Sequence, residues 1–186
     1  MKEAELATLR RLGVPEESMI NAKDNLANAY QQVGRFEEAH SMRRDLYSEK
    51  LKHNGEEHEM TLLAASNYAA SLVDLQRFEE TRSLLRKTLP VARRVLGDSN
   101  RITLMMRWSY GAALCMDASA TLDDLSEAVK TLEETTRIAR RVLGGAHPNA
   151  KGIERNLREA RAVLAAREGD VEPLREAMEA MTPEDA

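Results

Sequence analysis

Glycines 13, 55 and 97 stand 42 residues apart, and Gly144 follows after 47. Other positions keep the same interval. Asn25, Asn67, Ser109 and Asn156 are spaced 42, 42 and 47, and Phe36, Phe78 and Leu125 are spaced 42 and 47. Ala92-Arg93-Arg94-Val95-Leu96-Gly97 returns unchanged as Ala139-Arg140-Arg141-Val142-Leu143-Gly144, and Arg10-Arg11-Leu12-Gly13 is a shorter echo. A fixed period of this length constrains the fold strongly. One short unit cannot bury its own apolar face, so the units must stack and share it. The longer third interval places an insertion of five residues (47 against 42) within residues 116–124, between two helical patterns, where added length costs little.

Each unit reads as two antiparallel helices. Ile20, Leu26, Ala27, Tyr30 and Val33 form a helical apolar stripe, and Gly34 ends it. Phe36-Glu37-Glu38-Ala39 opens the second helix, with acids in the first turn where the dipole favours them, and that helix runs to about residue 53. The next predicted pairs cover about 57–75 with 77–96 and about 100–116 with 122–143. Pro90 falls inside a predicted helix, so a kink is expected there. A fourth unit opens at His147-Pro148, with Pro in a first-turn position it tolerates, and its helix extends to about residue 167. The units are therefore 14–55, 56–97, 98–144 with the insertion, and a first helix over 145–168. Residues 1–13 read as the end of a preceding second helix. Val171, Leu174, Met178 and Met181, spaced 3, 4 and 3, predict a short closing helix within 169–186, with Gly169-Asp170 as break and N-cap.

Composition agrees with helices. Nine Gly and five Pro in 186 residues are too few for the turns of a sheet protein, and 4% aromatics leaves the core to Leu, Ala, Val and Met. The expected fold is an all-α solenoid of antiparallel helix hairpins. A mixed 31% charge content with a net charge of -4 does not suit general nucleic-acid binding. No run of 18 apolar residues exists to span a membrane, and Met1-Lys2-Glu3-Ala4-Glu5 lacks the apolar core of a signal peptide. Cys115 is the only cysteine, so no internal disulfide can form and the cytoplasm or another reducing compartment is expected. It reads as a small buried helix residue.

Leu26-Ala27-Asn28-Ala29-Tyr30 followed by Gly34-Arg35-Phe36-Glu37-Glu38-Ala39 resembles a tetratricopeptide repeat. Tyr68-Ala69-Ala70-Ser71-Leu72 and Tyr110-Gly111-Ala112-Ala113-Leu114 continue the pattern. Small residues at Ala27, Ala69 and Gly111 let helix backbones approach closely. The period of 42 in place of 34, with Leu-Gly closing a unit and His-Pro opening the next, resembles the kinesin light chain variety. Leu143-Gly144-Gly145-Ala146-His147-Pro148 carries that linker most fully. The resemblance covers roughly residues 12–167. A HEAT-type solenoid also suits the period, but the two blocks quoted first argue against it.

That resemblance implies a right-handed superhelical solenoid with an inner face lined by the first helix of each pair, holding an extended peptide. Asn25, Asn67, Ser109 and Asn156 match the positions whose amides bind peptide backbone. An amide serves this purpose because it offers a donor and an acceptor without requiring a given side chain. The preceding positions, Asp24, Ser66, Trp108 and Arg155, depart from the paired asparagines the family often carries. One turn earlier stand Asn21, Leu63, Met105 and Gly152, which form no basic row. Leu63, Met105 and Trp108 read either as an apolar pocket or as ordinary packing, and the asparagines either as ligand contacts or as caps of neighbouring helices.

Lys151, Arg155, Arg158 and Arg161, spaced 4, 3 and 3, share a helix face that reads as a site for an acidic partner or, more blandly, as a solvated end face covered by Glu172, Glu176 and Glu179. His40, His53, His58 and His147 form no metal-ligand pattern, and no phosphate loop or hydrolase motif occurs. Paired acids at helix starts are explained by the helix dipole. The expectation is a non-enzymatic adaptor for a linear protein segment, with no cofactor and no metal. The rival is a permanent structural subunit of a larger assembly.

Overall fold

The computed structural model describes residues 16–169, which form seven helices and, among them, no strand. They are α1 (Glu16–Gln32), α2 (Phe36–Asn54), α3 (Glu59–Asp74), α4 (Phe78–Leu96), α5 (Arg101–Cys115), α6 (Leu122–Leu143) and α7 (Pro148–Glu168). The predicted helix over residues 3–12 and the closing stripe from Val171 to Met181 lie outside the described residues.

Among the described helices, α1, α3 and α5 pack on their own partners α2, α4 and α6; α3, α5 and α7 each pack on the second helix before them; and α3 packs on α5 and α5 on α7. The second helices α2, α4 and α6 make no such contact with one another. The architecture is thus an all-α solenoid: an inner wall of first helices backed by a spaced outer row of second helices.

Local chemistry sets the helix ends. Gly34 closes α1 at a φ of +77°, with Arg35 N–H donating to Tyr30 O at 2.9 Å. Gln76 holds the matching place after α3 at a φ of +57°, with Arg77 N–H donating to Leu72 O at 2.8 Å. Entry into the first helices repeats too. The side chains of His58, Asn100 and His147, spaced 42 and 47, accept from the backbone N–H two residues on. These histidines are therefore helix caps. The paired acids open α2 and α4 as expected, and Glu38 and Glu80 also pair with Arg35 and Arg77 at 2.8 and 2.6 Å.

The core is aliphatic, with Leu62, Leu72, Leu85, Leu104, Met106, Leu114, Leu125, Leu132 and Ile153 fully buried. Ala27 and Ala69 are buried in the seams, and a Cβ on Gly111 would stand 2.7 Å from Leu132 Cγ. Arg158, the same position in α7, is exposed. Helix α4 continues unbroken through Pro90, which sits at an exposed position where water can replace a missing backbone partner. The added length is shared between the link from α5 to α6, which is three residues longer than that from α3 to α4, and the start of α6, and the loop is ordered by side chains. Asp117 accepts from Ser119 and pairs with Arg82 at 3.0 Å, and Arg167 donates to the carbonyls of Ala118 and Ala120. Thr121 and Asp124 then form a capping box for α6.

Candidate peptide groove

The inner wall carries a cavity of about 500 Å³. Its apolar lining comes from Leu63, Ala70 and Val73 of α3 and Ile102, Met105, Trp108 and Ala112 of α5. Gln31, Ser66, Asn67, Ser109 and Asn156 are its neutral polar groups, and Arg43, Asp74, Arg101 and Arg155 its charged ones. A pitch of three to four residues explains the grouping: Leu63 with Asn67, and Met105 with Ser109, lie one turn apart on the inward face of their helices.

The structure thus brings together eight residues singled out above: Leu63, Ser66, Asn67, Met105, Trp108, Ser109, Arg155 and Asn156. Asn25 is exposed on α1 and does not line this cavity. Asn21 lies on α1, and its side chain is outside those described.

The three members of the amide column at the cavity differ in what they offer. Asn156 is 9% exposed, and both ends of its amide are occupied: Oδ1 accepts from Trp108 Nε1 at 2.7 Å and Nδ2 donates to Glu159 Oε2 at 2.8 Å. Trp108 in turn lies against Gly152, where a Cβ would meet the indole at 2.6 Å. Asn156, Trp108 and Gly152 therefore act together as a clasp between α5 and α7. Asn67 is half-buried and makes one long contact, from Nδ2 to Asp24 Oδ1 at 3.4 Å. Ser109 is half-buried beside it on α5.

At the first-repeat end the wall changes character. The backbones of α1 and α3 do not pack, and side chains bridge them: Gln31 Nε2 donates to Asp74 Oδ2 at 2.6 Å, beside the Asn67–Asp24 contact. A smaller cavity of about 110 Å³ opens there, and Arg43, Leu63 and Asn67 border both spaces. Arg43 is 4% exposed. Its Nη2 donates to Asn28 Oδ1 at 2.9 Å and Gln31 Oε1 at 2.6 Å, while Nε and Nη1 have no partner. Burial draws its pKa down, against the opposing influence of Asp24 and Asp74, and burial raises that of Asp74. Sequence reading missed Arg43 because it followed the first helices. The signal was present, since Arg43, Leu85 and Leu132 are spaced 42 and 47 and share one column of the second helices.

The basic residues of α7 do not act as one patch. Lys151, Arg155, Arg158 and Arg161 are all exposed, but Arg155 borders the groove and lies 3.8 Å from Glu159, whereas Arg161 pairs with Glu133 of α6 at 2.7 Å. The acidic residues expected to cover this face, Glu172, Glu176 and Glu179, lie outside the described residues. Cys115 is buried, and burial, helped by Glu159, pushes its thiol up to about 11, which removes the thiolate that chemistry would need. A further cavity of about 470 Å³ opens on the outer side between α2 and α4, bordered by Tyr47, Tyr68, Leu84 and Val91. Among the described residues no helix is long and apolar enough to cross a membrane.

Stacked hairpins with small residues in their seams and a polar-edged inner cavity define a helical-repeat solenoid. The family model for the tetratricopeptide repeat matches residues 20–58 and 61–101. Over those residues the chain is similar to tetratricopeptide repeats, and its fold resembles that of solved kinesin light chain-type repeats. Two similar solved structures are of nearly identical repeats assigned to a kinesin light chain of Podosopora anserina. One, a variant carrying a single substitution, has a TM-score of 0.70 at 20% identity, covering 96% of this chain and 82% of the other. The second has a TM-score of 0.67 at 21% identity, covering 99% and 86%. BtubC (BKLC) from P. vanneervenii is similar over 100% of this chain and 74% of its own, with a TM-score of 0.68 at 16% identity. At these identities the likeness is one of fold. No curated protein matches the sequence.

Proposed function

We propose that the chain is an adaptor that binds an extended protein segment along its inner wall, centred on the cavity between α3, α5 and α7. Tetratricopeptide repeats generally mediate protein–protein interaction. The observation that supports this particular site is the meeting of Leu63, Met105 and Trp108 with Asn67 and Ser109 around one open space of about 500 Å³. An apolar side chain of the guest enters between Leu63 and Met105. Asn67 and Ser109 bond its main chain, with little demand on neighbouring side chains. Asn156 contributes by holding Trp108 in place. First helices about 10 Å apart give a wall on the order of 30 Å long, and an extended strand at about 3.3 Å per residue places about nine residues along it.

The test is selection of blocked nine-residue peptides from a random library on the full chain, followed by titration of the best binder. Asn67→Ala and Met105→Ala should each weaken binding by roughly three- to tenfold, the range expected for one lost hydrogen bond or one shortened apolar contact. Equal binding by both variants would place the contact surface elsewhere.

A further inference from the structure

Arg43 occupies a position that the rest of the array reserves for a buried leucine. Leu85 and Leu132 hold the same column in the second and third hairpins, and both are 0% exposed. Leu132 shows what the column does, because it fills the space in front of Gly111 across its own hairpin. In the first hairpin a guanidinium stands there at 4% exposure. Two of its five N–H groups are met by Asn28 and Gln31, and the three on Nε and Nη1 have no acceptor. Asp24 and Asp74 act on the charge from a distance, and among the described residues neither forms an ion pair with Arg43 within 4.0 Å. Leaving buried donors of a charged group unmatched is destabilising. The other two buried arginines differ: Arg82 pairs with Glu79 and Asp117, and Arg107 with Asp98 and Glu134.

The location gives the cost a purpose. Arg43 borders the main cavity and the smaller one, beside Leu63 and Asn67, where α1 and α3 stand apart. Resting on the groove reading above, we propose that Arg43 is a ligand-binding residue kept in a core position at the expense of stability, and that its unmatched N–H groups donate to a main-chain carbonyl of the bound segment at the first-repeat end. The nitrogens are covered in the free chain. Binding therefore turns the guanidinium about its outer bonds and exchanges the Asn28 or Gln31 contact for the ligand carbonyl. A neutral acceptor fits better than a carboxylate, because Asp24 and Asp74 already offset the charge and would repel an added acid.

The experiment compares the full wild-type chain with Arg43→Leu, and with Arg43→Met as a second variant should leucine not fit. The probe is the blocked nine-residue peptide selected from the random library. Both variants should melt higher than wild type, by about 3 °C or more, and bind the peptide about tenfold more weakly. Replacing the peptide residues one at a time by Glu should weaken binding most at one position, and the loss there should be larger in Arg43→Met, where Asp24 and Asp74 remain without the offsetting cation. A lower melting temperature in both variants makes Arg43 a structural tie between α1 and α2 and overturns the proposal. Unchanged affinity in both, alongside a loss in Met105→Ala, overturns it while leaving the groove intact. Tighter binding of a Glu-substituted peptide overturns the preference for a neutral segment. Unchanged binding in Asn67→Ala and Met105→Ala, with a loss in Arg43→Met, removes the groove reading instead. If the library yields no binder, both readings fall.

Discussion

The indole N–H of Trp108 donates to Asn156 Oδ1 across 2.7 Å, joining residues 48 apart in sequence and tying α5 to α7. Replacing Trp108 by Phe keeps an aromatic ring near Gly152 but leaves the Asn156 carbonyl, in a residue 9% exposed, without its donor. The expected loss is about 1–3 kcal/mol, the cost of an unsatisfied buried acceptor. Chemical denaturation of Trp108→Phe, Asn156→Leu and the double variant measures it. Additive losses would mean that the two side chains do not act together.

Gly111 makes two effects compete. Alanine is favoured over glycine inside a helix by about 1 kcal/mol. Against that, the new methyl would stand 2.7 Å from Cγ and 2.9 Å from Cδ2 of Leu132, which is fully buried and has little room to move. Overpacking of this kind costs typically about 1–3 kcal/mol. The clash should win, so Gly111→Ala is expected to lower the melting temperature. A rise would show that α5 and α6 can separate freely.

Gln76 adopts a φ of +57° at the turn where the first hairpin has Gly34. A left-handed backbone costs a residue with a Cβ about 1–2 kcal/mol, and the added freedom of glycine in the unfolded chain takes back part of that. Gln76→Gly should therefore stabilise the chain by about 0.5–1 kcal/mol. Thermal denaturation giving a lower midpoint for the variant would contradict this.

His40 ties stability to pH. Its Nε2 stands 2.8 Å from Arg77 Nη1, and a guanidinium can only donate, so Nε2 accepts and Nδ1–H faces Ser71 Oγ at 3.3 Å. Burial first, and Arg77 second, lower the His40 pKa; Arg44 adds to this, while Glu37 and Glu80 oppose it. The unfolded histidine takes up a proton near its ordinary 6.5, before the folded one does. Stability is thus full above that value and is lost as the pH falls through the window below it, down to the lowered folded pKa. Urea melts at pH 7.5 and 5.0, about one unit or more on either side of the ordinary value, should differ less in His40→Gln than in wild type. An equal difference in both would assign the pH dependence to other groups.

Much of the fold was legible because its causes are local and recur. Gly55, Gly97 and Gly144 end second helices at positive φ, Glu37-Glu38 and Glu79-Glu80 start them, and Ala27, Ala69 and Gly111 open the seams. Each signal reads from a few neighbouring residues, and repetition multiplied it. The use of His58 and His147 as caps was not read, although Asn100 in the same column is an ordinary N-cap residue and was the available clue. At the groove, residue type gave the column, but not the state of its members. Asn67 and Asn156 look alike in sequence, yet one makes a single long contact and the other is engaged at both ends.

The sequence by itself determined the unit: its length, its two helices, the turn that joins them and the face each helix buries. Those follow from backbone preference and hydrophobic period, which act over a few residues. Only the tertiary structure decided which polar groups are occupied by the fold. Their partners lie across seams, as with Gln31 and Asp74, 43 residues apart, and Trp108 and Asn156, 48 apart. Hydrogen bonding depends on tenths of an ångström between such residues. A period of 42 residues brings the right columns together without fixing which side chain in each finds a partner.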